Sequence, residues 1–234
     1  MKFIIDQRVF ELFPDLAIGV VIVCGVDNTG EKVEVMQLIK EAEQGIVHQI
    51  SLATLAVHPK IVAWQNAYRA FGAKPKDHVS SVENLYRRAL TGKELRHINT
   101  LVDCYNYLSL KYMLPVGGED VDAVQGDIRL TRAESHEPPV LLLGDNEPRA
   151  PHEGEIIYRD DVGAICRRFN WREADRTKLT EETKNAVLAI EGLLPVLRSE
   201  IEGAVDELKN CLQRHCGGDT KTFILDINNP TASW

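Results

Sequence analysis

The octapeptide Cys166-Arg167-Arg168-Phe169-Asn170-Trp171-Arg172-Glu173 gathers three guanidinium groups, two aromatic rings, a thiol and a carboxylate. Read as a strand, its successive side chains alternate between faces, so Arg168, Asn170 and Arg172 share one face and Arg167, Phe169 and Trp171 the other. A guanidinium offers a fork of donors and an aromatic ring a stacking surface, which suits a phosphate or the terminal adenosine of an RNA. Arg168 and Arg172 are therefore substrate-binding candidates. The competing reading is an arginine ladder paired with Glu155, Asp160, Asp161 or Asp175, as charge in an acidic protein usually is. Cys166 acts as a nucleophile only beside a histidine base, and the sequence offers none, so a buried thiol is expected there.

A second cluster is basic. Arg87-Arg88, Lys93 and the loop Lys74-Pro75-Lys76 form the best cationic patch, and Arg87, Arg88 and Lys74 are the RNA-contact candidates. A solvated face is the plainer reading of the same charges. The formal net charge of −8 argues against holding a nucleic acid through bulk charge, because phosphate neutralisation needs a basic excess. Any RNA partner must be held by a local patch and by its end, and duplex DNA is not expected.

Five cysteines at irregular spacing, with no Cys-x-x-Cys and no His-x-x-x-His, point to reduced thiols and to no structural metal. No P-loop, dinucleotide fingerprint or Gly-x-Ser-x-Gly occurs, so no cofactor is expected. No apolar run approaches the roughly 20 residues of a membrane span, and Met1-Lys2-Phe3 opens no signal peptide, so the expected location is the cytoplasm. Hydrophobic content of 44% and charged content of 26% are those of a globular chain able to bury a sizeable core.

These groups need elements to position them. Phe3-Ile4-Ile5 and Leu16–Val26 read as strands, the second ending at the turn cluster Asp27-Asn28-Thr29-Gly30. Glu31–Val57 has helical spacing, with Gly45 as a place to bend or split it. Pro59 suits the start of a helix to Phe71. Ser80 or Ser81 caps Val82–Leu90, and Ile98–Met113 is a long helix broken by Pro115-Val116-Gly117-Gly118. Ile128–Ala133 alternates, Val140–Leu143 reads as a buried strand, and Ile156–Tyr158 with Ala164–Trp171 as a hairpin. Glu181–Cys216 reads as mostly helix with a break near Pro195, and Thr222–Ile227 as a last strand. Blocks of helices and strands predict one α+β domain over residues 1–234, with a mixed or antiparallel central sheet flanked by helices. Leu16–Val26, Val140–Leu143 and Ala164–Trp171 are expected in one connected sheet.

Leu101–Val124, LVDCYNYLSLKYMLPVGGEDVDAV, carries Val102, Asp103, Asn106, Tyr107, Pro115 and Asp120 in an order that resembles the tRNA-editing domain (B3/B4) of the phenylalanyl-tRNA synthetase beta subunit. Gly154-Glu155-Ile156-Ile157-Tyr158, Asp161–Ile165 and the run Thr180, Thr183, Asn185 continue the likeness. Arg69–Gly72, Ser81–Leu85 with Arg87-Arg88, and Cys166–Arg172 resemble free-standing members. The likeness covers about residues 15–205, and each short match gains weight from the shared order.

The resemblance implies a compact α/β unit that hydrolyses, in trans, the ester between a wrong amino acid and a tRNA 3′ end. The partner would be the tRNA acceptor end. Asn106 matches an asparagine lining the editing pocket, Asp120 an aspartate at its helix–turn edge, and Glu173 is the counterpart of a pocket glutamate. Three other pocket positions depart: Thr100 stands for arginine, Tyr105 for threonine and Gly117 for histidine. Those losses keep a second reading open, a non-catalytic module binding tRNA or an amino acid. Asn106 as a tie for the Pro-Gly-Gly loop, and Asp120 as a turn cap, are the bland readings of the same residues.

Overall fold

A computed structural model describes residues Met1–Trp234. The N-terminal strand β1 (Lys2–Ile5) leads through the short helix α1 (Gln7–Phe10) into β2 (Ala17–Cys24), an almost wholly buried run of Val and Ile. Helix α2 (Val33–Gln49) continues through Gly45, contrary to the expected break. The chain breaks instead at Ser51, whose side chain and that of Thr54 form a reciprocal cap for α3 (Leu52–Ala56). Pro59 occupies the first turn of α4 (Pro59–Ala70), and Ser80 caps α5 (Ser81–Leu90) by accepting from the Glu83 N–H. Asn99 caps α6 (Thr100–Tyr112), while Asn28 Oδ1 accepts from the Leu101 N–H at 2.7 Å and fixes the helix start to the loop after β2.

After α6, Met113 takes a left-handed conformation and the chain enters β3 (Val116–Asp120). The expected Pro-Gly-Gly turn is thus a strand. Its glycines serve close packing: a Cβ on Gly118 would lie 2.2 Å from Leu188 Cδ2. Strands β4 (Ile128–Arg132), β5 (Ile156–Arg159) and β6 (Ala164–Arg167) follow, then the two-residue β7 (Arg172–Glu173). Val140–Leu143 forms no strand: it makes only the isolated bridges Val140–Arg149 and Leu142–Ala174, with Leu141 and Leu143 exposed.

The largest correction concerns Glu181–Cys216. Asn185–Gly192 is strand β8, and helix α7 begins only at Arg198 and runs to His215. A strand buried on both faces shows no polar alternation, so its apolar run also satisfies a helical template. Strands β9 (Asp219–Leu225) and β10 (Thr231–Ser233) end the chain.

The fold is α+β with two sheets in place of the single connected one. Six strands run in the order β10-β1-β4-β5-β6-β7, all neighbours antiparallel except the parallel pair β1/β4. Four antiparallel strands run β3-β8-β2-β9. Helix α7 packs across β2, β8 and β9, close enough that a Cβ on Gly19 would meet Val205 Cγ2 at 2.3 Å. Helix α6 packs against α2, α5, α7 and β3. One apolar cluster runs through both sheets, from Phe3 and Ile128 to Ile18 and Leu188. No helix is long and apolar enough to cross a membrane.

Candidate functional site

The octapeptide does not form one strand. β6 stops at Arg167, and Arg168 and Phe169 both adopt positive φ, 50° and 63°. Neither is glycine, so the turn is held by its surroundings. Phe169 is fully buried, edge-on to Phe13 and Trp64 with ring centroids 5.5 and 5.1 Å away, and its N–H donates to the Ile156 carbonyl at 2.8 Å. Burying that ring wins over the alternation that an extended strand would impose. The expected sharing of one face by Arg168, Asn170 and Arg172 is therefore lost.

Arg167 donates from Nε and Nη2 to the two carboxylate oxygens of Glu155, both at 2.8 Å and both residues buried. Burial acts to raise the Glu155 pKa, but the hydrogen bonds and charge of Arg167, with the charge of Arg168, hold it below the usual value. Arg168 Nη2 lies 3.5 Å from the same carboxylate, and its guanidinium stacks 4.6 Å from the Trp171 ring. Arg172 turns outward to Asp145 at 2.9 Å and to the Leu143 carbonyl.

Between the two sheets, the middle of α6 and the first turns of α5 lies a cavity of about 320 Å³. Tyr105 and Asn106 line it from α6, Gly117 to Glu119 from β3, Arg172 and Glu173 from β7, and Val187, Ala189 and Glu191 from β8. Phe3, Tyr158, Phe169 and Trp171 supply aromatic wall. Asn106, Arg172 and Glu173 are thus brought together, whereas Asp120 and Arg168 are not. Asp120 accepts from the Thr183 hydroxyl at 2.6 Å and from the Asp122 N–H, tying down the end of β3. Arg87 pairs with the buried Glu83 at 2.6 Å, Arg88 reaches the Glu94 carbonyl, and Lys74 is exposed; none of the three lines the cavity.

Three carboxylates face this space. Glu173 sits beside the bare backbone of β3: the Gly118 N–H donates to its Oε1 at 3.4 Å, and a Cβ on Gly117 would come within 3.0 Å of that oxygen. Burial raises Glu173 to about 7, with the Gly118 hydrogen bond acting against it. Glu191 is likewise raised to about 7 by burial, opposed by hydrogen bonds from Asn170 and Tyr158. The Tyr158 hydroxyl donates to Glu191 Oε1 at 2.5 Å and Asn170 Nδ2 donates to Oε2. Glu119 is buried with Oε2 unpartnered, and burial followed by the charge of Glu173 pushes its pKa well up. Cys166 also lines the cavity, but its buried thiol donates to the Phe169 carbonyl at 3.1 Å and its pKa is pushed well up by burial. No histidine lines the cavity to activate it.

Glu119 and Glu191 escaped the sequence reading. Glu191 was hidden by the helical reading of β8; a carboxylate ending an eight-residue buried strand is the signal that the correct period would have exposed. Such an arrangement can hold a ligand ammonium, shuttle a proton near neutrality and orient a carbonyl through the Asn106 amide.

Residues 63–217, more than half of the chain, match the sequence profile of the B3/4 domain. The chain is 25% identical over 155 residues to the phenylalanine–tRNA ligase beta subunit of Fusobacterium nucleatum, an overlap of 56% of this chain and 19% of that protein. It is 31% identical over 129 residues to the same subunit of Psychrobacter arcticus, covering 51% of this chain and 16% of that one. A solved N-terminal fragment of the phenylalanyl-tRNA synthetase beta subunit from Pyrococcus horikoshii superposes with a TM-score of 0.48 at 12% identity, over 95% of this chain and 53% of the fragment. The chain therefore spans less than a fifth of the length of these two curated relatives. On the match over residues 63–217, which contains most of the cavity wall, this chain belongs to the B3/4 domain family.

Proposed function

We propose that this protein hydrolyses the ester between an aminoacyl group and the 3′ end of a tRNA, acting in trans in the cytoplasm. The observation that carries the reading is one cavity bearing Asn106 and three buried or half-buried carboxylates, Glu119, Glu173 and Glu191, on walls that are otherwise mostly aromatic and aliphatic. An aminoacyl group has the matching parts. Its ammonium meets the carboxylates, its side chain the rings of Phe3, Tyr105 and Tyr158, and its carbonyl oxygen accepts from Asn106. Family membership, and relatives that are tRNA ligase subunits, supply the RNA partner.

The ester is already activated, so chemistry needs chiefly positioning and a water. Glu173, with a pKa near neutrality, takes a proton from that water as its oxygen bonds to the carbonyl carbon. The tetrahedral adduct then collapses, the carbon–oxygen bond to the ribose breaks, and Glu173 returns the proton to the ribose oxygen. Discrimination rests on whether the bound side chain satisfies the buried polar groups, because leaving one unpaired is costly.

The test is release of amino acid from a panel of mischarged tRNAs. The protein is expected to cleave at least one member, with a rate that rises with pH through about 7, since the base must be unprotonated. Glu173→Gln should slow single-turnover cleavage by about 10² to 10⁴-fold without an early thermal melt. If no member is cleaved faster than in buffer while aminoacyl-tRNA still binds, the chain is a binding module and the hydrolase reading fails.

A further inference from the structure

The wall formed by Trp171 and Arg172 has a second side. Beyond it lies a groove of about 480 Å³ lined by His78, Arg149, His152, Arg167, Arg168 and Asp145 together with those two residues. Cavity and groove differ in charge: the first holds three carboxylates, the second four arginines and two histidines against Asp145 and Glu155. In a chain of net charge −8, such a concentration of cations is local and specific.

Arg168 is the informative residue. It is 6% exposed, yet its guanidinium donates no hydrogen bond within the protein. The nearest carboxylate, Glu155 at 3.5 Å, already accepts both bonds of the Arg167 fork. Burial lowers the pKa of Arg168, with the Glu155 charge acting in the opposite direction, but an arginine stays charged under any ordinary condition. Its counter-charge is thus one carboxylate shared with Arg167, and its own donors stay free for an anion in the groove. An anion seated in the groove would take those donors as charge-assisted hydrogen bonds. The guanidinium lies against the Trp171 ring at 4.6 Å, Arg172 lies 5.4 Å from the same ring, and the exposed Arg149 stands at the rim without an ion pair.

We propose that this groove binds a phosphodiester of an RNA 3′ end, with Arg168 as its principal ligand. The assignment to RNA rests on the reading of the neighbouring cavity as an aminoacyl site. One ribose separates the terminal phosphate from the ester, and one residue pair, Trp171 and Arg172, separates groove from cavity. The terminal nucleotide then straddles Trp171, its phosphate in the basic groove and its esterified end in the acidic cavity. The cluster Arg87, Arg88 and Lys74 lies outside this path.

The experiment measures binding of a labelled, unacylated RNA hexamer ending in CCA, by fluorescence anisotropy at low salt, with inorganic phosphate, adenosine and hexaglutamate as competitors. Binding does not require turnover, so it is independent of the hydrolase assay. Arg168→Gln is expected to weaken the hexamer about tenfold or more, the size of one charge-assisted hydrogen bond, and to lower the logarithmic salt slope by about one. Arg214→Gln, on the distant helix α7, should bind as wild type. If Arg168→Gln melts early, Arg149→Gln decides, with an expected loss of about threefold and unchanged binding overturning the proposal. Equal competition by inorganic phosphate or hexaglutamate, or wild-type affinity in a folded Arg168→Gln, would also overturn it. Failure to cleave any tRNA, with arginine-dependent binding intact, refutes the hydrolase alone. Unaltered cleavage and KM in Arg168→Gln refutes the groove alone.

Discussion

The Tyr158 hydroxyl, on β5 of the six-stranded sheet, donates at 2.5 Å to Glu191 Oε1, on β8 of the four-stranded sheet. This bond bridges the two sheets across the cavity floor, and it does so through a carboxyl group that burial raises to about 7. Asn170, from the strained turn, holds the other oxygen of the same carboxyl, so turn, cavity and both sheets meet at one group.

Stability should therefore depend on pH around neutrality. The Glu191 pKa is raised in the folded state, from 4.5 to about 7, so between those values the folded chain binds more protons than the unfolded one. Its contribution to stability is full below the unfolded value and is lost as pH rises through about 7. The loss amounts to roughly 3 kcal/mol by pH 8 for such a displacement. Thermal melts from pH 5 to pH 8 should fall in wild type, and Glu191→Gln, which keeps an acceptor for Tyr158, should flatten that fall. Parallel curves for the two proteins would show that Glu191 does not titrate in this range.

The opposite sign holds at Glu155. Its pKa is held below the usual value, so its contribution is present at neutral pH and is lost as pH falls through the folded value in the acid range. Glu155→Gln leaves two buried guanidinium groups, Arg167 and Arg168, without a counter-charge. Breaking a buried pair from one side costs about 3–5 kcal/mol. Urea melts at pH 7 should show a loss of that order; a loss below about 1 kcal/mol, the worth of an exposed pair, would mean that water reaches Glu155.

Gly19 tests the packing that supports the cavity from behind. β2 carries β8 on one edge, and α7 lies across it, with Val205 Cγ2 2.3 Å and Ile201 Cγ2 3.0 Å from where a Cβ would stand. Gly19→Ala should push α7 off the sheet and cost about 1–3 kcal/mol. A melt at or above wild type would show that the helix shifts freely.

How far the sequence was legible follows from which forces act locally. The Val- and Ile-rich β2, the cap at Ser80, and Pro59 at the start of α4 are local signals, and each stands where the sequence puts it. β8 was not legible because burial on both faces removes the alternation that marks a strand. β3 was not, because Pro-Gly-Gly is turn chemistry, whereas here Gly118 makes room for Leu188 and Gly117 for Glu173. The turn at Arg168 and Phe169 was not, because its cause is remote: Phe13 and Trp64 capture the Phe169 ring. The misreadings of β3 and β8 explain why Glu119 and Glu191 went unseen.

Asn106 and Asp120 were expected around one pocket, and the absence of Asp120 from the cavity wall gives the sharpest contrast between a binding role and a structural one. Asp120 accepts from the Thr183 hydroxyl and the Asp122 N–H, and Thr183 in turn accepts from the Thr180 N–H, so the carboxylate fastens β3 to the loop before β8. Asp120→Ala should cost about 1.5–3 kcal/mol, the range for hydrogen bonds to a charged group, and leave ligand affinity unchanged below its lowered melting point. Asn106 lines the cavity at 8% exposure, and its amide makes no hydrogen bond within the protein, so removing it breaks nothing in the free fold. Asn106→Ala should therefore melt within about 0.5–1 kcal/mol of wild type, yet bind an amino-acid methyl ester roughly tenfold more weakly. Calorimetric titration of both variants, paired with urea melts, reads the two effects separately. An Asn106→Ala protein that melts early but binds normally would make Asn106 a scaffold residue and remove the carbonyl-orienting group from the proposed site.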